Sequence, residues 1–251
     1  MRKSIKRIFV LAGRNLKEIR RDPLSLLFMM ALPLVMEVLF YYLFHGLTDQ
    51  FAIRYLAPGI AVFSQAFLSL FAGLLIALDR SSSFLSRLYV SEAGAHEFIL
   101  GYGLALAPVS LIQSVLFFLV GGILDPSFFS VALLSGVGLC LVTSLFFIGT
   151  GILLGSVCNE KSVGGVSSII IVGQSVLSGM WFPVEGLKGS FMMKLMEILP
   201  FRNATLLIQN AVNGYENLTD DILRPLLIVL AYAAVSFLLA ILAFRRNMKR
   251  L

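Results

Sequence analysis

The chain has 251 residues, of which 58% are hydrophobic and 14% are charged, and its formal net charge is +6. A soluble domain of this length could not bury so much apolar surface and would carry about 25% charged residues, so the composition excludes a soluble protein and predicts a membrane protein. The two cysteines, Cys140 and Cys158, lie in or at the end of one apolar run without C-x-x-C spacing, so we expect packing roles for both.

The first 22 residues predict a basic amphipathic helix that lies on the inner membrane surface. This segment contains eight Lys or Arg residues. Its apolar residues fall on one helical face: Ile5, Ile8, Phe9, Ala12, Leu16 and Ile19. The alternative is a basic flank that only sets the topology of the chain. No small-residue cleavage pattern follows the first apolar run, so we keep that run as a span.

Six apolar runs follow, and each is long enough for the roughly 20 residues of a membrane-crossing helix. They cover residues 24–44, 55–78, 99–124, 129–157, 163–182 and 225–244. The fourth run contains Gly151-x-x-x-Gly155, which predicts close packing against a neighbouring helix. These runs predict an all-α membrane protein that forms a single transmembrane domain over residues 1–251.

The distribution of basic residues predicts the orientation of the chain. Fifteen Lys or Arg residues lie in the N-terminal segment, the second and fourth connections and the C-terminal tail, against five on the opposite side. By the positive-inside rule both termini are cytoplasmic. The basic surplus therefore sets topology, and we expect no nucleic-acid partner.

Residues 183–213, between the fifth and sixth runs, predict short re-entrant helices at the outer surface. Trp181 and Phe182 are placed as in an aromatic belt, and Pro183 cannot continue a helix. Apolar residues then recur at helical spacing up to Leu199, Pro200 stops that piece, and a second short amphipathic piece covers 201–212.

Glu37 is the one acidic residue well inside a predicted span, so it is a candidate for the translocation pathway. The alternative is that it reaches the interface or a neighbouring helix. Gln174, Ser175 and Ser178 are further pathway candidates. Together with Gln65 and Gln113, they are more simply explained as helix-to-helix hydrogen bonds.

The inner loop at 79–97 predicts a short amphipathic helix that docks on a soluble partner. Its apolar side chains lie between basic residues and an acidic pair, and these charges could set the register of the helix in a groove of the partner. The alternative is that the segment rests on lipid headgroups. The predicted docking residues are Arg80, Phe84, Leu85, Arg87, Leu88, Tyr89 and Glu92.

Catalytic patterns are missing from the sequence. The segment Gly155–Ser162 superficially resembles a phosphate-binding loop, but Glu160 occupies the position of the second glycine and would repel phosphate. The two histidines, His45 and His96, are predicted on opposite sides of the membrane. We therefore expect a chain that is not an enzyme and binds no cofactor or metal.

The order of several short motifs resembles the six-span permease subunits of ABC-2 type ABC transporters. Three short motifs resemble family patterns: Arg20-Arg21-Asp22-Pro23 before the first span, Leu32-Pro33 within it, and Asp79-Arg80 in the inner loop. The most recognisable signature comprises Ser178, Gly179, Phe182, Pro183, Leu199 and Pro200. Ser83 and Phe84 depart from the usual Gly-Thr, and Glu92 stands where proline is common.

This resemblance implies a permease that forms a dimer with a second copy, identical or not, in the cell membrane. Separate ATP-binding subunits would dock on the inner loops and hold ATP and magnesium. The implied function is ATP-driven export, and the apolar spans favour a lipophilic or amphipathic substrate. The alternative from another class is an ATP-independent carrier or channel that uses Glu37.

Overall fold

The computed structural model describes residues 2–82 and 94–248, and every regular element within these ranges is helical. Within them nine α-helices follow in chain order: α1 Arg2–Arg20, α2 Pro23–Phe44, α3 Ile53–Ser81, α4 Ala95–Leu124, α5 Ala132–Val157, α6 Glu160–Leu177, α7 Phe191–Ile198, α8 Pro200–Asn213 and α9 Arg224–Met248. Three single 3-10 turns and a π-helical segment, Leu218–Leu223, lie between them.

Five helical stretches in the described part of the chain are long and apolar enough to cross a membrane. They are α2, α3, α4, α5 and the stretch Leu218–Arg246 that contains α9. The predicted fifth span corresponds to α6, which falls outside this set. It has 18 residues and begins with Glu160 and Lys161, which lower its hydropathy.

Helix α3 is the centre of the bundle, and α2 is at its edge. The most apolar part of α3 is 83% buried, against 17% for α2. Helix α3 packs on α2, α4, α5, α6 and α8, while α9 covers the other side of α5. The apolar side chains of α2 are therefore left for lipid or for a partner.

Two glycines let α3 and α5 approach each other closely, as the Gly-x-x-x-Gly spacing predicts. A Cβ at Gly151 would lie 2.1 Å from the backbone oxygen of Ser69. A Cβ at Gly155 would lie 2.4 Å from the backbone oxygen of Gly73. Only residues without a side chain fit at these positions.

The predicted end of the fifth span is wrong by five residues. Helix α6 ends at Leu177 rather than at Phe182. Gly179 adopts φ +72°, a left-handed conformation that glycine favours, so the chain turns before it reaches Pro183. Trp181 consequently packs on Phe40 of α2 and Phe63 of α3, with ring centroids 4.9 and 5.9 Å away.

The two short helices after this turn agree with the sequence prediction to within a residue. The Ser190 side chain caps α7 by accepting a hydrogen bond from the Met193 amide. Pro200 is the first residue of α8, where its fixed φ suits a helix start. Helix α8 packs on α3, α5 and α9, whereas Met196 is the buried residue of α7.

Helix α1 is amphipathic, but its apolar residues do not share one buried surface. Ala12 and Ile19 are buried, and α1 packs mainly on α4. Ile5, Phe9 and Leu16 remain 40–62% exposed. The helix therefore has one apolar strip for the protein and a second that stays uncovered.

Candidate functional site

Asp79, at the C-terminal end of α3, is a buried carboxylate that joins three helices. The Arg14 guanidinium of α1 donates to both of its oxygens, with Nη2 2.7 Å from Oδ1. The Tyr102 hydroxyl of α4 donates to Oδ2. Asp79 and Tyr102 are only 3% and 2% exposed. Charge-assisted bidentate bonds are the stronger ones in proteins, so this point fixes α1 against α3 and α4.

Glu18, one turn beyond Arg14 on α1, extends this charged cluster toward solvent. Arg14 Nη2 lies 2.8 Å from a Glu18 carboxylate oxygen. Burial and the nearby Asp79 charge raise the pKa of Glu18, and Arg14 acts in the opposite direction. Arg14 therefore holds two carboxylates that would otherwise repel each other.

Arg80 is directed away from this cluster, toward the C-terminal end of α5. Its Nη1 donates to the carbonyl oxygens of Gly155 at 2.8 Å and Cys158 at 3.1 Å. The last carbonyls of a helix have no partner within the helix, and basic side chains satisfy them well. Asp79 and Arg80 thus connect α3 to α1, α4 and α5.

Glu97, in the first turn of α4, repeats this arrangement at the other end of the loop between α3 and α4. It is 4% exposed and accepts a hydrogen bond from the Gly94 amide at 3.2 Å. Arg7 of α1 lies 3.6 Å from the same carboxylate oxygen. Helix α1 therefore binds both ends of the α3–α4 loop, through Arg7 and through Arg14.

Most of the predicted docking residues lie in that loop. Arg80 is described and is bonded to α5. The other six lie outside the described residues and stay predictions: Phe84, Leu85, Arg87, Leu88, Tyr89 and Glu92.

Glu37, the predicted intramembrane acid, lies inside the helix bundle. It is fully buried, and neither carboxylate oxygen has a hydrogen-bond partner within residues 2–82 and 94–248. A Cβ placed on Gly121 of α4 would lie 3.3 Å from Glu37 Oε1 and 2.9 Å from Cβ of Ala57 of α3. The carboxyl group therefore faces the contact between α3 and α4 rather than lipid.

The predicted helix-to-helix hydrogen bonds of the glutamines are confirmed for two of the three. Gln65 of α3 donates to the Cys140 carbonyl of α5 and accepts from the Thr143 hydroxyl, both at 2.9 Å. Gln174 of α6 donates to Thr205 of α8 at 3.0 Å. Gln113 is buried, and its amide group bonds to no described residue.

Ser175 and Ser178 lie beside Gln174 at the end of α6, where they stabilise the turn that follows. The Trp181 indole donates to the Ser175 hydroxyl at 3.0 Å, and the Met180 amide donates to Ser178 at 3.3 Å. Of these three pathway candidates, Gln174 therefore contacts α8, whereas Ser175 and Ser178 bond to the turn after α6. Glu37 lies apart from them, on α2.

The signature residues are distributed over the turn and the two short helices. Gly179 provides the left-handed turn, and Phe182 and Pro183 follow it outside any helix. Leu199 separates α7 from α8, and Pro200 begins α8. The Asn203 side chain donates to the Leu199 carbonyl at 2.7 Å, which holds the junction.

The sequence did not single out the Arg14–Asp79–Tyr102 cluster. In the sequence Asp79 stands out only as part of a family motif, and Arg14 is one of many basic residues. An acidic residue at the end of a long apolar run was the available signal, because such a residue needs a partner. Its partner lies 65 residues away along the chain.

Within residues 2–82 and 94–248 no group of three or more His, Cys, Asp or Glu side chains is placed to hold a metal ion. The contacts in the clusters above instead join helices to each other.

Comparison with known proteins identifies the family. A search of curated proteins gave no match. The family model of the ABC-2 type transporter matches residues 6–213, which is most of the chain and includes most of α1, the α3–α4 loop and the Gly179 turn. The chain therefore belongs to the ABC-2 type transporter family and is a multi-pass membrane transport subunit.

Proposed function

We propose that this chain is the permease subunit of an ATP-driven ABC exporter. It forms the pathway as a dimer, and separate ATP-binding subunits supply ATP, magnesium and all covalent chemistry. In this proposal α6 also crosses the membrane, as the fifth of six spans in chain order, both termini are cytoplasmic, and the chain resides in the cell membrane. The excess of basic residues at the termini and connecting loops supports this orientation.

The observation that carries the proposal is the attachment of α1 to both ends of the α3–α4 loop. Arg7 binds Glu97 at the start of α4, and Arg14 binds Asp79 at the end of α3. A partner that displaces the loop therefore moves α1, α3 and α4 together. Arg80 carries the same displacement to α5.

Through this linkage the partner could couple its own closure to the permease by shifting the population between two arrangements of the helices. ATP-dependent closure of the partner would favour one helix arrangement, provided that the partner binds the two arrangements with different affinity. Substrate would pass Gln174, Ser175 and Ser178 and leave beside residues 183–213. The exposed apolar surface of α2 favours a lipophilic or amphipathic substrate.

Loss of the docking surface should separate the permease from its ATPase. We expect the double substitution Leu85→Asp and Leu88→Asp to abolish copurification of a subunit that bears a phosphate-binding loop, and to abolish transport. The reason is that two charges would be buried in the partner's groove. The measurement is affinity purification in mild detergent from the native membrane, followed by mass spectrometry.

The matched control places the same substitutions on the opposite loop. Tyr215 and Leu218 are 54% and 50% exposed, and their replacement by aspartate should leave copurification unchanged. A well-folded Leu85/Leu88 variant that keeps full transport would contradict the proposed docking site. A wild-type chain that purifies alone, even after crosslinking, would contradict the ATP-driven mechanism.

A second candidate function rests on Glu37. A fully buried carboxyl without a partner among the described residues is typical of proton-dependent carriers. The two mechanisms differ in what Glu37→Gln should do, because glutamine keeps the shape and removes the titratable group. An ABC permease should keep its ATP dependence and lose at most substrate recognition, whereas a carrier should lose its proton dependence.

The measurement for this pair of mechanisms is transport into proteoliposomes with an imposed pH gradient, with and without the ATPase. We expect gradient-independent, ATP-dependent transport by both the wild type and Glu37→Gln. If the wild type transports without the ATPase and Glu37→Gln does not, the result contradicts the exporter mechanism and supports the carrier mechanism.

A further inference from the structure

A deep apolar groove lies between α1, α2 and α4. Its volume is about 1080 Å³, slightly above the range of about 300–1,000 Å³ that is usual for ligand pockets. Met30, Leu34 and Val35 of α2 form one wall, and Ile112 and Leu116 of α4 form another. The groove exists because α1 packs mainly on α4 while α2 packs mainly on α3, so α2 leaves α4 partly uncovered.

The mouth of the groove is basic. Lys17 and Arg20 of α1 line this end, and neither forms a salt bridge with any residue that the structure describes. The walls beyond them are apolar. One end thus carries two available cations, and the rest offers only hydrocarbon contacts.

We propose that the groove binds an anionic glycerophospholipid, with its phosphate at Lys17 and Arg20 and an acyl chain along α2. From Pro23 to Val35 the wall extends about 18 Å at 1.5 Å per residue. One leaflet of a bilayer has a hydrocarbon depth of about 15 Å, half of the roughly 30 Å core. The groove therefore has the length and the polarity of one lipid in its leaflet.

Charge distinguishes this occupant from a second copy of the chain. The described residues that line the groove include no acidic side chain, so a second copy that met this patch with the same patch would bring no charge to neutralise Lys17 and Arg20. A lipid phosphate supplies that negative charge. This inference concerns binding alone and does not depend on the proposed transport function.

The headgroup contact is tested by charge reversal. The full-length chain is reconstituted in vesicles of equal phosphatidylglycerol and phosphatidylcholine and extracted, and its bound lipid is measured by native mass spectrometry. The wild type should retain phosphatidylglycerol over phosphatidylcholine by about tenfold, and Lys17→Glu with Arg20→Glu should lower this ratio to about one. Arg245→Glu with Arg246→Glu, the same charge change on exposed residues of α9, should leave the ratio unchanged.

The acyl-chain contact is tested by filling the groove. A Cβ on Gly13 meets nothing within 4 Å, so Gly13→Leu fits on the groove wall and also favours the helix. We expect it to reduce retained phosphatidylglycerol at least severalfold. Gly138→Leu, at an equally open glycine of α5, is the control and should have no effect.

Three results would overturn the proposal. The first is equal retention of the two lipids by the wild type. The second is an unchanged ratio in the charge-reversal variant. The third is unchanged lipid retention in Gly13→Leu together with a shift from dimer to monomer, which would assign the groove to a second copy.

Discussion

Replacement of Asp79 by alanine should lower the free energy of unfolding by about 3 kcal/mol and impair transport. The substitution leaves the Tyr102 hydroxyl buried and the partly buried Arg14 guanidinium without its main anionic partner. Breaking a buried ion pair on one side costs about 3–5 kcal/mol, and the 31% exposure of the Arg14 side chain places the effect at the lower end. The measurement is the melting temperature in detergent, together with transport in proteoliposomes.

Variants of the partners separate the two contacts of Asp79. Tyr102→Phe removes only one hydroxyl, so we expect a smaller loss of about 1.5–2 kcal/mol. Asp49→Ala, at an exposed aspartate, should leave the melting temperature within a degree or two. An Asp79→Ala variant as stable as Asp49→Ala would contradict the inferred role of the cluster.

Gly151→Ala should have a comparable or larger effect, because it separates α3 from α5. The added methyl group would lie 2.1 Å from the backbone oxygen of Ser69, and neither helix backbone can move without disturbing its neighbours. Overpacking typically costs about 1–3 kcal/mol, and a clash with backbone rather than with a flexible side chain places this substitution at the upper end or above it. We expect loss of the monodisperse peak in size-exclusion chromatography and a lower melting temperature.

Gly138→Ala in the same helix is the matched control for this substitution. A Cβ at Gly138 meets nothing within 4 Å, and alanine favours the helix over glycine by about 1 kcal/mol. This variant should be as stable as the wild type or slightly more stable. If Gly151→Ala behaves in the same way, the close contact of α3 and α5 is not required for folding.

Much of the helical architecture could be predicted because its causes are local in the sequence. Long apolar runs determine α2, α3, α4, α5 and α9, and the spacing of Gly151 and Gly155 indicates a close helix pair. Proline and the recurrence of apolar residues placed α7 and α8 to within a residue. Gln65 and Gln174 could be interpreted correctly because a buried amide in an apolar helix needs a partner.

The remaining features depend on contacts that are distant in sequence. The pairing of Arg14 with Asp79 joins α1 to the end of α3, 65 residues away, and no local periodicity encodes it. The early end of α6 depends on one backbone angle at Gly179, where Pro183 was the more obvious signal. The division of the apolar residues of α1 into two strips follows from where α4 lies, which the sequence of α1 alone does not contain.

The fastening of α1 has a consequence for biosynthesis. Arg7 and Arg14 are translated before their partners, Glu97 and Asp79, and Tyr102, the other partner of Asp79, follows later still. Until α4 has been inserted, α1 lacks the helix on which it mainly packs, and Asp79 lacks the Tyr102 hydroxyl. Docking of α1 is therefore a late assembly step, and a nascent chain stopped before Tyr102 should expose its N-terminal helix to proteases that the finished protein resists.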